Sequence, residues 1–286
     1  MISANVECPA PLTTEKSLVS KIWIQLSVLV SVLVTIAGLS GIFLRDAYSR
    51  ETQAWAAQAI GQDYVNLLVA LLLLVCTYYL SKNSLKAYLI WLGAYIYLVY
   101  AFAIYAFFIH FNFLFLIYIM VLGISFYALI GALMSAYTAS LSTSFLSNTR
   151  SKSVSLFLMA VGVLFSLLWL SEIIPSLLKN SIPVSVLESG LFVNPIHVLD
   201  LAFLMPAMIM TSVLLWRKQM LGFLLAVPLM VFMVIMGAAI IAMFIISAER
   251  GMPVALPAEL MIGLITAGSL YFTYQFLKEA VDIAPR

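Results

Sequence analysis

The sequence predicts an all-α integral membrane protein with eight transmembrane helices, and three observations carry that prediction. Of 286 residues, 64% are hydrophobic and only 9% charged, far too little polar surface for a soluble domain. The apolar residues fall into eight runs, each long enough to cross roughly 30 Å of hydrocarbon. The segments between the runs are short, and their basic residues are unevenly divided between the two sides.

In order, the first run extends from Ile22 to Leu44, behind a polar tail. It is too long for the apolar stretch of a signal peptide and lacks a small-x-small cleavage site, so it reads as a spanning helix. A loop from Arg45 to Ile60 follows, whose Trp55 and alanine-rich stretch suggest a short helix lying at the interface. The next three spans run from Asp63 to Leu80, Ala87 to Ile109 and Phe113 to Leu133. Residues 135–153 are rich in Ser and Thr and form a linker between two halves, 1–134 and 154–286, of one polytopic membrane domain. The second four spans run from Val154 to Ile174, Ile196 to Trp216, Met220 to Ile246 and Leu256 to Leu277. Cys8 lies in the tail and Cys76 within a span, so no disulfide framework is implied.

Lys and Arg near the ends of spans are retained on the cytoplasmic side when loops are short. With the amino terminus inside, the inner segments carry Lys16, Lys21, Lys82, Lys86, Arg150, Lys152, Arg217, Lys218, Lys278 and Arg286; the outer ones carry Arg45, Arg50, Lys179 and Arg250. The expectation is a multi-pass protein of the cell membrane with both termini cytoplasmic. A duplication also suggests itself. Asp63 and Asp200 each open a span that ends in a basic turn, Lys82-Asn83-Ser84-Leu85-Lys86 in one case and Arg217-Lys218-Gln219-Met220 in the other. Two groups of four helices in the same orientation would make a parallel repeat, although any two apolar hairpins with a tight basic turn look alike.

Ionisable residues within a span are costly and so mark candidate sites. At about 1.5 Å rise per residue, Asp63, Asp200, Glu172 and Glu259 all stand about 25–30 Å from the basic residue at the other end of their helix. They form one acidic layer near the outer boundary, with His110 and His197 close by. Asp63, Asp200 and Glu259 fall in the first turn of their helices, where an acid can simply cap free N–H groups; a ligand-binding role is the competing reading. Glu172 is expected to end its helix ahead of Pro175, where the dipole disfavours an anion, so it needs a proton, a ligand or a cation such as Lys179. Asp63 with Asn66, and His197 with Asp200, are three apart and share helix faces. Tyr97 and Tyr100 lie mid-helix in an aromatic-rich third span, where they either line a cavity or pack between helices. The candidate ligand-binding set is therefore Asp63, Asn66, Glu172, His197, Asp200, Tyr97 and Tyr100.

Pro206 and Pro228 are expected to kink their helices toward a cavity. Gly38 and Gly41, Gly162 and Ser166, and Gly263 and Ala267 read as close-packing positions. A carboxylate beside an imidazole can support metal binding, which makes His110, His197 and Asp200 the candidates for a mixed site, but two histidines are too few for a three-His zinc site. The same two histidines would be the pair needed to ligate a b-type haem. No other feature supports a metal or haem pocket, so no cofactor is predicted. A net charge of +2 excludes a strongly basic nucleic-acid binder, leaving the lipid bilayer and a small molecule or ion as expected partners. No Gly-x-Ser-x-Gly elbow, His-Glu-x-x-His motif or phosphate loop occurs, which leans against an enzyme.

Gln62-Asp63, Trp91-Leu92-Gly93 with Tyr97 and Tyr100, Ser125-Phe126-Tyr127-Ala128-Leu129-Ile130, and Asp200-Leu201 followed by Pro206 resemble a family of uncharacterised multi-pass membrane proteins of bacteria and archaea. The resemblance covers roughly the middle two thirds of the chain, implies the architecture, and brings no activity with it. The function expected from the residues is a small-molecule or ion transporter or binding protein with a polar pocket near the extracytoplasmic face. The alternatives are a lipid-acting enzyme at the outer leaflet and a non-catalytic membrane subunit or sensor.

Overall fold

The computed structural model describes residues 19–138, 151–253 and 256–279. These are helical, with no strand among them. Eight helical segments are long and apolar enough to cross a membrane. The order is α1 (Lys21–Phe43), a 3₁₀ turn (Arg45–Tyr48), α2 (Gln53–Leu80), α3 (Leu85–Phe108), α4 (Phe115–Thr138), α5 (Ser151–Leu178), a short α6 (Val184–Ser189), then α7 (Pro195–Leu199), a π-helical turn (Asp200–Leu204) and α8 (Met205–Trp216), followed by α9 (Met220–Glu249) and α10 (Leu256–Glu279). The segment from α7 through α8 makes a single span. Most of the linker expected at 135–153 lies outside the described residues; its two ends belong to α4 and α5.

Local chemistry explains the helix boundaries. The Thr52 hydroxyl accepts from the Trp55 N–H, and the Asn194 side chain accepts from the Ile196 N–H, each capping a helix start. Four helices stop in the same way. Asn83, Asn180, Lys218 and Gly251 adopt positive φ, and the next N–H reaches back five residues, as Ser84 does to the Tyr79 carbonyl and Gln219 to the Leu214 carbonyl. This is the Schellman arrangement, which satisfies carbonyls that the helix end leaves open. The two basic turns after α2 and α8 thus share one backbone geometry.

The cap at Thr52 corrects two expectations. Residues 53–60 form no separate interfacial helix but the start of α2, so Asp63 lies ten residues inside that helix rather than in its first turn. The polar Gln58 and Gln62 interrupt the apolar run and hide this extension from a hydropathy reading. Asp200 lies beyond α7 and opens the π turn, so it too is not in a first turn. Glu172 does not end its helix either, because α5 continues through Pro175 to Leu178. Glu259 does lie in the first turn of α10.

α9 is the central strut, packed by α2, α3, α8 and α10. Glycines set its closest crossings. A Cβ on Gly61 would run into the Met243 backbone, and one on Gly93 would strike the Pro228 carbonyl and Val231. The first four spans close on one another, α1 against α2 and α4, and α3 against α2 and α4. Gly38 and Gly41 allow that closure by bringing α1 onto Leu67 and Asp63. Gly162 likewise sits against Ile209, whereas no described residue comes within 4 Å of a Cβ at Gly263. The later spans are less closed. α5 packs on α8 and α10 on α9, and α5 meets α10 through the rings of Phe157 and Phe272, 5.0 Å apart.

Candidate functional site

Two aspartates organise the polar interior, and they sit in different surroundings. Asp63 on α2 is fully buried. Tyr48, in the 3₁₀ turn, donates to its Oδ2 at 2.6 Å, and Tyr105 on α3 donates to Oδ1 at 2.8 Å. The Asn66 amide approaches Oδ1 at 3.4 Å, and the Asn66 carbonyl oxygen accepts from Tyr97 at 2.9 Å. A Cβ on Gly41 would collide with the carboxylate and with the Tyr48 hydroxyl. Burial and the neighbouring Tyr105 and Asp63 push the Tyr48 phenol well above its ordinary value, so it remains a donor. This knot ties α1, α2 and α3 together, and of its side chains Tyr105 alone reaches the wall of the cavity beside Asp200.

Asp200 opens instead onto a cavity of about 750 Å³, within the range of small-molecule sites. Its Oδ1 accepts from Tyr100 on α3 at 2.9 Å and its Oδ2 from the Trp169 indole on α5 at 2.8 Å. Tyr100 in turn meets Phe232 of α9 edge-on, with centroids 5.4 Å apart. The wall is drawn from α2, α3, α5 to α10 and the π turn, mostly from the half of each span nearer the Arg45–Thr52 end. Apolar side chains dominate it, and methionines are conspicuous: Met205, Met208, Met233, Met236, Met243 and Met261 among them. Met adapts its shape to irregular occupants.

The π turn accounts for the position of Asp200. The Met205 N–H reaches back to the Asp200 carbonyl, five residues away, in a widened turn that also accommodates the missing N–H of Pro206. Pro206 therefore does mark an irregular helix. Pro228 lies buried inside α9, at the crossing with Gly93.

Beside the cavity is a second pair. His197 Nε2 stands 3.4 Å from Glu172 Oε2, and Glu172 Oε1 accepts from the Ser185 N–H at 3.1 Å. The partner of Glu172 is thus His197 rather than Lys179. His197 does not bond to Asp200; the Trp169 ring lies against the imidazole at 4.9 Å while its N–H serves the carboxylate. His110 is elsewhere, bonded through Nδ1 to Glu51 at 3.0 Å. The described residues contain no group of three or more metal-ligating side chains, which separates His110 from the mixed metal site considered above.

Of the seven candidates, Asp63, Asn66 and Tyr97 are locked in the closed network, Asp200 and Tyr100 line the cavity, and Glu172 and His197 form the adjoining pair. A sequence reading passes over Trp169, Tyr48 and the methionines. Tryptophan near a span end is ordinary for lipid interfaces, and methionine in an apolar run is indistinguishable from core. Trp55 and Gln62 also belong to the wall. Both are buried, each with a donor nitrogen that has no hydrogen-bond partner among the described residues. Compared with protein-family models, curated proteins and solved structures, the chain matches none.

Proposed function

We propose that this chain is a membrane-embedded small-molecule binding protein or transporter whose ligand occupies the cavity beside Asp200. One observation carries the reading: a cavity of about 750 Å³ within the spanning bundle has a carboxylate on its wall, and that carboxylate is held by donors from two other helices. A side chain needed only for capping has no reason to face a void. The pocket lies at the extracytoplasmic side and the termini in the cytoplasm, on the strength of the ten Lys and Arg against four in the flanking segments. The matching turns at Asn83 and Lys218 favour two related four-helix groups.

A ligand that binds only the folded state stabilises it by an amount that grows with the logarithm of ligand concentration over Kd. Screening the purified protein in detergent against a small-molecule library by thermal shift should yield compounds that raise the melting temperature of the wild type. Those compounds should not shift Met236→Trp, which fills the cavity, and uptake of a hit into proteoliposomes would separate a carrier from a binding protein. If every hit stabilises Met236→Trp equally, the cavity is not the site.

A further inference from the structure

The cavity wall has a one-signed charge. Its ionisable carboxylates are Asp200 and Glu188, and among the described residues no Lys, Arg or His lines it. Asp200 is nearly buried, and its two oxygens are held by neutral donors. A buried carboxylate whose oxygens meet only neutral donors attracts a monovalent cation into the cavity beside it. The same wall carries the aromatic rings of Tyr100, Trp169, Phe165 and Phe232, groups that attract organic cations more than anions. The rest of the wall is thioether and aliphatic carbon, which suits an apolar body without fixing its shape.

The packing of α5 and α10 bears on the route into the cavity. The ring pair Phe157 and Phe272 joins α5 to α10, and the wall residues of these helices begin beyond it, with Val161 to Trp169 on one side and Ala258 to Thr266 on the other. Leu168 and Met261 are each eleven residues from that pinch, about 16 Å along their helices. α10 packs chiefly on α9 and α5 on α8, so the seam between α5 and α10 is held by few contacts. Leu164, Leu260 and Leu264 on their outer faces are exposed, as lipid-facing leucines would be.

We propose that the cavity takes a hydrophobic organic monocation, its charge against Asp200 and its apolar body among the aromatics and methionines, admitted from the hydrocarbon between α5 and α10. This rests on the cavity being a ligand site. Three probes of similar shape test the charge: tetraphenylphosphonium, tetraphenylborate and neutral triphenylphosphine oxide, each measured by equilibrium dialysis against purified protein in a non-ionic detergent. The phosphonium should bind saturably and the other two at least about tenfold more weakly. Asp200→Asn should weaken the phosphonium about tenfold or more, while Asp63→Asn, outside the cavity, should not. Equal binding of all three probes would overturn the cationic specificity yet leave a ligand site, and binding of none would overturn this proposal while the library screen still decides the broader reading. The wild-type comparison stands even if Asp200→Asn does not fold. For the route, the fluorescence lost on Trp169→Phe is the Trp169 signal in nanodiscs. Quenching of that signal by mid-chain nitroxide lipids, and not by aqueous iodide, is expected; quenching by iodide alone would place access on the aqueous side.

Discussion

Asp63 and Asp200 are both aspartates at comparable depth, both bound by tyrosines of α3, yet one is sealed and the other faces a void. The difference lies in the surrounding helices. Around Asp63, α1 approaches through Gly38 and Gly41 until no space remains, and Tyr48 folds back from the 3₁₀ turn to complete the carboxylate's bonds. Around Asp200, α5 supplies an indole instead of a glycine contact, and α10 leans on α9. Closing a helix bundle around an acid makes a structural tie, whereas leaving one helix apart turns the same residue type into a candidate site.

The largest expected effect tests that contrast directly. Asp63→Ala strands the buried donor of Tyr48, at a cost of about 1–3 kcal/mol, and removes the bonds from Tyr105 and Asn66, about 0.5–1.5 kcal/mol each, although these two keep the Ala59 carbonyl and the Tyr105 hydroxyl as acceptors. A loss of about 3 kcal/mol or more should appear in unfolding in detergent. Asp200→Ala frees donors beside a cavity that water can fill, so its loss should be about 1 kcal/mol. Equal losses would erase the distinction between tie and site. Next, Gly41→Ala should destabilise by about 2 kcal/mol, because its new methyl meets Asp63 and Tyr48. Gly162→Ala meets the side chain of Ile209, 3.0 Å away, which can rotate aside, and should cost less than about 1 kcal/mol.

A smaller effect concerns alkaline pH. The Tyr48 phenol is raised in the folded state, so its contribution is complete below the unfolded tyrosine value of about 10 and is lost as pH rises beyond it. At about pH 11, wild type should have lost about 1 kcal/mol relative to Tyr48→Phe, read as a difference between their stability profiles from neutral to alkaline pH. Parallel profiles would mean that Tyr48 is not held as a donor. The smallest effect is that of the adjoining pair: His197→Ala should change stability by about 1 kcal/mol or less, since Glu172 retains the Ser185 N–H. A loss as large as that of Asp63→Ala would make the pair a second tie.

Much of the architecture was legible because hydrocarbon thickness and backbone satisfaction leave little freedom. Eight apolar runs yield eight candidate spans, and the acidic layer near one end follows from helix rise alone. The start of α2 was not legible, because Gln58 and Gln62 look like loop residues in a hydropathy profile and become intelligible only as cavity-side positions. The pairing of Tyr100 with Asp200 and of Tyr105 with Asp63 was likewise beyond reach. Both tyrosines belong to one helix, five residues apart, and which of them meets which acid depends on how α2, α3 and α5 are arranged in space. Glu172 stood out as an acid ending a helix, which it does not do, and its partner lies across a helix boundary at His197 rather than along the chain at Lys179.

The widened turn at Asp200–Leu204 also sets a rotational phase. In a regular helix each residue advances about 100° around the axis, so one surplus residue shifts everything upstream of it relative to everything downstream. Excising Leu201 would let the span wind uniformly and swing Pro195 to Leu199 out of step with Met205 to Trp216. The imidazole and the carboxylate would then no longer both reach the indole between them, and that five-residue stretch would have worked as the clutch that keeps two angular settings on one shaft.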